Sequence, residues 1–133
     1  MNKLLVLIAF LTAQFIITWY GYFMGKIPPQ GSFLGTTYDS AFVSLLITQI
    51  RFIWVPILIN IIYGLGFQLG NSSFNNFLIV ISLWIASGPI AAILFNIIFV
   101  KEKLDLPIVL GIILITLGSL MVVAHKEVAK LLS

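Results

Sequence analysis

The sequence contains no cysteine and few charged residues. Among its 133 residues are 4 acidic side chains, 7 lysines and arginines and 1 histidine, so charged residues make up 8% of the chain. The absence of cysteine excludes disulfide bonds, thiolate metal sites and cysteine nucleophiles. An ordinary soluble domain has about a quarter of its residues charged. The composition therefore excludes that class of protein.

The few charged side chains also argue against catalysis and nucleic-acid binding. All four acids lie outside the long apolar runs, and the sequence has no paired carboxylates, metal-binding histidine set, catalytic triad or glycine-rich phosphate loop. We therefore expect no enzyme activity, metal or cofactor. The net charge of +3 comes from dispersed residues. Phosphate backbones need a concentrated basic face, so we expect no nucleic-acid partner.

What the sequence does contain is long apolar runs, with 61% hydrophobic residues overall. About 20 such residues cross the hydrocarbon layer as a helix. The predicted fold is an all-α membrane protein, a four-transmembrane-helix bundle forming one integral membrane domain over 1–133, with both termini on one side. The first run exceeds a signal-peptide core and lacks a convincing cleavage site, so we interpret it as a retained span. The predicted spans are 4–24, 52–69, 77–100 and 107–124.

The segment 25–51 is harder to assign. Pro28 and Pro29 break a helix and predict a loop or extended connection. The following stretch 41–69 is apolar but too long for one span. We expect 41–50 to lie along the membrane interface or to re-enter, with Arg51 starting the second span. The alternative is one long tilted helix with Arg51 deep inside.

The lysines are balanced between the two sides of this predicted topology. Orientation normally follows an excess of lysine and arginine in cytoplasmic loops. A tie predicts insertion in both orientations, unless one terminal lysine or a partner protein decides. The termini and second loop carry Lys3, Lys126 and Lys130, and the first and third loops carry Lys26, Lys101 and Lys103.

Polar and aromatic side chains within the spans are candidates for binding a small molecule. Polar groups facing lipid are costly, so they usually face protein or a cavity, and aromatic faces attract cations. Gln14 accepts and donates hydrogen bonds but cannot titrate. The alternatives are interhelical hydrogen bonding for Gln14 and ordinary packing for the rings. The candidate substrate-binding residues are Gln14, Thr18, Asn60, Tyr63, Trp84 and Ser87.

Two further features concern lipid and backbone. Arg51, the only arginine, either contacts a phosphate group or snorkels to the lipid headgroups. Gly88 and Pro89 predict a hinge or kink in the third span, which suits either a gate or static packing. The Gly21 to Gly25 spacing permits close helix contact, for which packing within the subunit is favoured over a dimer role.

The last third of the chain carries a family resemblance. A charged turn ends in Leu104-Asp105-Leu106-Pro107, and the next helix has two glycines seven residues apart, Gly111 and Gly118. With Trp84 and Gly88 upstream, this region resembles the small multidrug resistance family within the drug/metabolite transporter (EamA-like) superfamily. The resemblance implies an antiparallel homodimer with Gly111 and Gly118 at its interface, in a bacterial inner membrane.

The resemblance also implies function. It suggests alternating-access transport of a small amphipathic or cationic substrate, yet Gln14 occupies the place of the family's proton-exchanging glutamate. A related branch of four-helix subunits that flip undecaprenyl-phosphate-linked sugar resembles this chain in having a glutamine in the first span, and Arg51 would then contact the phosphate. The remaining alternative is a non-transporting accessory subunit. The expected partners are membrane lipid, a second copy or a different subunit, and a small-molecule or lipid substrate.

Overall fold

A computed structural model of the chain describes residues 2–126 and 129. The described part is mostly helical, with one short hairpin after the first helix. The π-helical residues Asn96–Val100 directly continue α4 and are termed the π-turn. The elements are α1 (Asn2–Met24), β1 (Gln30–Phe33), β2 (Thr36–Asp39), α2 (Ala41–Arg51), α3 (Trp54–Phe74), α4 (Phe77–Phe95), the π-turn and α5 (Leu106–Val123).

Several helices have the length and composition of membrane spans. Three satisfy both criteria separately: α1, α4 together with the π-turn, and α5. The helices α2 and α3 satisfy them as a pair, bent by 64° at their junction, so the described residues provide three spans, or four if the bent pair is one span. The mostly helical architecture with long apolar helices is that of an integral membrane protein.

The connection after α1 is an antiparallel hairpin. Phe33 pairs with Thr36, so the turn consists of Leu34 and Gly35 alone. Both residues have positive φ, at 50° and 81°, the combination that two-residue hairpin turns favour. Pro28 and Pro29, which predicted a loop or extended connection, therefore lead into a short antiparallel sheet.

The junction between α2 and α3 has a local cause in Pro56. A continuous helix would need a hydrogen bond from residue 56 to the carbonyl of Phe52, and proline has no N–H to donate. Instead the Val55 N–H donates to that carbonyl at 2.9 Å. Pro56 lies in the first turn of α3, where a missing N–H is tolerated. The segment 41–69 is thus two helices, and the single long helix considered above is not found.

The helical core is formed by α1 packed against α3 and α4. Val6, Phe10 and Val80 are fully buried at its centre. Two glycines of α3 allow this close approach. A Cβ atom on Gly66 would lie 2.7 Å from Cε1 of Phe10, and one on Gly70 would lie 2.7 Å from Cγ1 of Val80. Neither glycine was singled out from the sequence.

The last helix, α5, is packed less tightly than the helices of the core. α5 packs mainly on α4, and Ser119 is its one buried residue. A Cβ atom on Gly111 or Gly118 would have no described atom within 4 Å. The same is true of Gly21 on α1. The packing within the subunit that we favoured for Gly21 is therefore not observed.

The third predicted span is less interrupted at its centre than expected. α4 remains one helix through Pro89, as far as Phe95. The irregularity lies further on, where the π-turn begins at Asn96. Whether Gly88 and Pro89 act as a hinge stays a prediction.

Candidate functional site

The candidate site lies where the middle of α1 meets α4. Gln14 is half-buried there, with its Nε2 atom 3.5 Å from the carbonyl oxygen of Trp84, at the limit of a hydrogen bond. Gly88 faces the same amide, and a Cβ atom on it would lie 3.6 Å from Cδ of Gln14. The absence of a side chain at Gly88 therefore leaves room beside the Gln14 amide.

The two hydroxyls predicted at this site are engaged with their own helices. Thr18 Oγ1 donates to the carbonyl of Gln14 at 2.7 Å, and Ser87 Oγ donates to the carbonyl of Trp84 at 2.6 Å. Such bonds to the preceding turn satisfy the hydroxyl without a ligand. Both residues therefore support the backbone around Gln14 and Trp84 in this conformation.

The indole of Trp84 carries a buried donor without a partner. Its Nε1 atom has no hydrogen-bond partner among the described residues, and the same is true of Ser73 Oγ near the end of α3. Leaving a buried donor unsatisfied costs about 1–3 kcal/mol, and such groups are few in native proteins. An acceptor bound at Trp84 Nε1 would therefore recover that free energy.

Aromatic rings surround Trp84. The Tyr63 ring lies 6.1 Å from it, nearly perpendicular, and the Phe67 ring lies 6.3 Å away. Phe10 of α1 joins the group at 5.1 Å from Phe67. Phe10 was not predicted, although it lies one helical turn before Gln14 and so shares its face. We term Phe10, Tyr63, Phe67 and Trp84 the aromatic cluster.

The remaining predicted substrate-binding residue is not brought to this cluster. Asn60 belongs to the same helix as Tyr63, but its side chain is exposed. Tyr63, in contrast, is half-buried and contacts the core around Phe10. The structure therefore joins Gln14, Thr18, Trp84, Ser87 and Tyr63, and leaves Asn60 on the outside.

A second aromatic group lies at the opposite end of the α1–α4 contact. Phe95 and Phe99 stack at 5.0 Å, and Phe15 and Tyr22 pack on Phe95 at 5.7 and 5.4 Å. These rings belong to α1, to the end of α4 and to the π-turn. They fix the geometry of the α1–α4 contact on the side of the turn that leads to α5.

That turn is fixed by one side chain. Asn96 donates from Nδ2 to the carbonyl of Glu102 at 2.9 Å and accepts from the Glu102 N–H at 3.1 Å. Lys101 completes the turn with a φ of 59°. The pairing of Asn96 with Glu102 depends on the π-turn, which no spacing rule predicted.

Arg51 lies apart from the aromatic cluster. It is the last residue of α2, its side chain is exposed, and its Cζ atom lies 5.3 Å from the centre of the Phe33 ring. It is not deep within the helical core. The position leaves both earlier interpretations open, snorkelling or phosphate contact.

The described residues contain no group of three or more His, Asp or Glu side chains placed to hold a metal ion. No protein-family model, curated protein or solved structure matches this chain.

Proposed function

We propose that this chain is a subunit of a small transmembrane transporter that works by alternating access. One observation carries the proposal: the buried indole N–H of Trp84 has no partner, and the Gln14 amide lies 3.5 Å from the backbone carbonyl oxygen of the same residue, between apolar helices. Polar groups at such depth are expensive and commonly serve function. A substrate would supply the missing acceptor and stack on the aromatic cluster.

The site chemistry favours a small amphipathic substrate, with a cation as one class that the rings attract. The apolar body would contact Tyr63 and Phe67, and a polar atom would face Trp84 Nε1 and Gln14. Because the Gln14 amide cannot bind and release a proton at accessible pH, transport coupled to protonation at this position is not part of the proposal.

The proposed assembly is an antiparallel homodimer joined along α5. Two copies of one fold related by an axis in the membrane plane can exchange conformations and expose a midplane site alternately to each side. The open face at Gly111 and Gly118 supports helix contact there, since small residues allow close approach in lipid. Gly88 and Pro89 would allow α4 to bend during the exchange.

The test is flux into proteoliposomes that contain the purified chain, with tetraphenylphosphonium as the probe. We expect Trp84→Phe, which keeps a ring but removes the N–H, to lower the probe affinity about tenfold, equal to ~1.4 kcal/mol. Gln14→Ala should have a similar effect. Trp19→Phe is the matched control, because Trp19 is exposed on α1.

Other outcomes would redirect the assignment. Movement of a fluorescent polyprenyl phosphate, with no flux of the cation, would replace this proposal by the lipid-flippase alternative. No flux of either probe, together with copurification of one stoichiometric membrane protein, would favour an accessory subunit. Equal flux by wild type and Trp84→Phe would remove Trp84 from the site.

A further inference from the structure

The hairpin and α2 form a folded unit beside the helical core, termed the hairpin–α2 unit (residues 28–51). Ser44 Oγ donates to the carbonyl of Pro28 at 2.7 Å, joining α2 to the base of the hairpin. The hydroxyl of Tyr20 on α1 donates to Oε1 of Gln49 at 3.1 Å. The unit is therefore held in a defined position relative to the core.

The bend between α2 and α3 determines how far α2 penetrates the membrane. The 11 residues of α2 are about 16 Å long at ~1.5 Å per residue. For an α3 parallel to the membrane normal, the 64° bend leaves α2 a rise of about 7 Å along the normal. The hydrocarbon layer is ~30 Å thick. α2 is thus too short and too inclined to cross it, even if α3 tilts by the usual ~20°.

One face of α2 is apolar and uncovered. Phe42, Leu46 and Ile50 repeat every four residues and so form one row, and they are 74%, 50% and 56% exposed. The residues Ser44 and Ile47, on the opposite side, are buried. An exposed apolar row on a helix too short to cross the membrane favours a position in the plane of the membrane surface, with the row among the acyl chains.

The tip of the hairpin also exposes an apolar side chain. Leu34 is 89% exposed and has a φ of 50°. Turns in water place glycine, asparagine or aspartate at such positions. A leucine there leaves a large apolar side chain unshielded, and lipid is a surrounding in which that exposure is favourable.

The positive charge of Arg51 at the end of α2 favours a lipid headgroup with a negatively charged phosphate. Arg51 exposes its guanidinium over the Phe33 ring, which orients the planar fork. That fork is suited to the oxygens of a phosphate group. Long basic side chains at helix ends extend to the headgroup level while their stems stay in apolar surroundings.

From these observations we propose that the hairpin–α2 unit lies in the headgroup layer and binds an anionic phospholipid through Arg51. The lipid phosphate contacts the guanidinium, and its acyl chains lie along the row of Phe42, Leu46 and Ile50. The lipid is a bound component of the surrounding bilayer. The proposal does not depend on transport by the aromatic cluster.

The depth of the unit is tested by nuclear magnetic resonance in nanodiscs, with spin labels on the lipid headgroup or near the end of the acyl chain. We expect the headgroup label to broaden the amide signals of Phe42, Leu46 and Ile50 more than the deep label does. Stronger broadening by the deep label would show that α2 re-enters toward the midplane, and would overturn the proposal. Ile59 of α3, buried within the core, is the internal reference.

The phosphate contact can be measured at a single residue, because Arg51 is the only arginine in the chain. Arginine labelled with ¹³C at Cζ gives a single guanidinium signal, and its dephasing by ³¹P reports a nearby phosphate. We expect strong dephasing in phosphatidylglycerol and weaker dephasing in phosphatidylcholine. No dephasing in either lipid, or equal dephasing in both, would contradict an anionic headgroup site.

Native mass spectrometry of the full chain supplies the matched variants. Arg51→Ala should reduce the preference for retained phosphatidylglycerol over phosphatidylcholine about fivefold, equal to ~1 kcal/mol for one basic residue at the surface. Lys103→Ala, at an exposed cation in the turn before α5, should leave the preference unchanged. An equal reduction in the two variants would mean general charge attraction without a site at Arg51.

Discussion

The α1–α3–α4 core and the α5 helix use glycine in opposite ways. In the core, Gly66 and Gly70 touch side chains of α1 and α4 so closely that no Cβ atom fits without movement. On α5, Gly111 and Gly118 face open space, although the family resemblance implied that they form an interface. Glycine spacing alone therefore does not tell which helix pair is in contact within one subunit.

The difference follows from what drives helix association in lipid. Lipid tails are as apolar as leucine, so helices associate through close packing and not through burial of apolar surface. In the core, Gly66 and Gly70 already make such close contacts, with Phe10 and Val80. The small residues of α5 remain available, and we interpret them as contacts with a second copy, as proposed above.

The largest expected effect comes from filling the core glycines. Gly66→Ala and Gly70→Ala each place a methyl group against a fully buried side chain, Phe10 or Val80. Overpacking of this kind costs about 1–3 kcal/mol. Relative to the same substitutions on α5, which gain equally from the helix preference of alanine, we expect a fall of that size in the free energy of unfolding, measured by circular dichroism during titration of mixed micelles with SDS.

The matched controls are Gly111→Ala and Gly118→Ala. All four substitutions gain the same intrinsic helix preference of alanine over glycine, about 1 kcal/mol, so the difference between the pairs isolates packing. The controls should be neutral or stabilising, since nothing described lies within 4 Å of either added methyl. Equal destabilisation of both pairs would show that α5 is packed as tightly as the core.

A smaller effect is expected at the turn that connects the two regions. Asn96→Ala removes both hydrogen bonds to the backbone of Glu102. Both bonds are exposed, so each should contribute near the lower end of about 0.5–1.5 kcal/mol. The free energy of unfolding should therefore fall by about 1 kcal/mol, with faster amide hydrogen exchange in the turn. Asn71→Ala, at an exposed position of α3, should change neither quantity. An Asn96 variant with unchanged exchange would mean that the turn is held by other contacts.

The sequence predicted where the long helices lie better than it predicted their contacts. The runs 4–24, 77–100 and 107–124 correspond closely to α1, to α4 with the π-turn, and to α5, because hydropathy over ~20 residues depends only on local composition. The placement of Gln14 beside Trp84 and Gly88 was not derivable from spacing, since it depends on how two separate helices are rotated about their axes. The resemblance suggested these residues together, and the geometry brings them into contact.

Three other features show what local patterns omit. The hairpin depends on the two positive-φ residues at its turn, one of which is a leucine that favours no such turn. The contact of Gly66 with Phe10 depends on the rotation of α3 about its axis. The orphaned indole of Trp84 depends on every neighbour that surrounds it. Each is a property of the packed chain and not of any single segment.

The smallest expected effect on the stability of one subunit comes from blocking the open face of α5. The double substitution Gly111→Leu and Gly118→Leu adds side chains where nothing described lies within 4 Å, so the core should unfold at nearly the same SDS fraction. In the proposed homodimer, however, the same bulk prevents close approach of the two α5 helices. We expect the double variant to lose the dimer detected by cross-linking of single introduced cysteines. The chain has no native cysteine that would also cross-link.

Leu114→Ile, at an exposed position of the same helix, is the control that should keep the dimer. A dimer that survives the double substitution would place the contact between subunits elsewhere and leave the open face of α5 to lipid. Loss of the dimer with an unchanged core would show that the core packs within the subunit, whereas α5 packs between subunits.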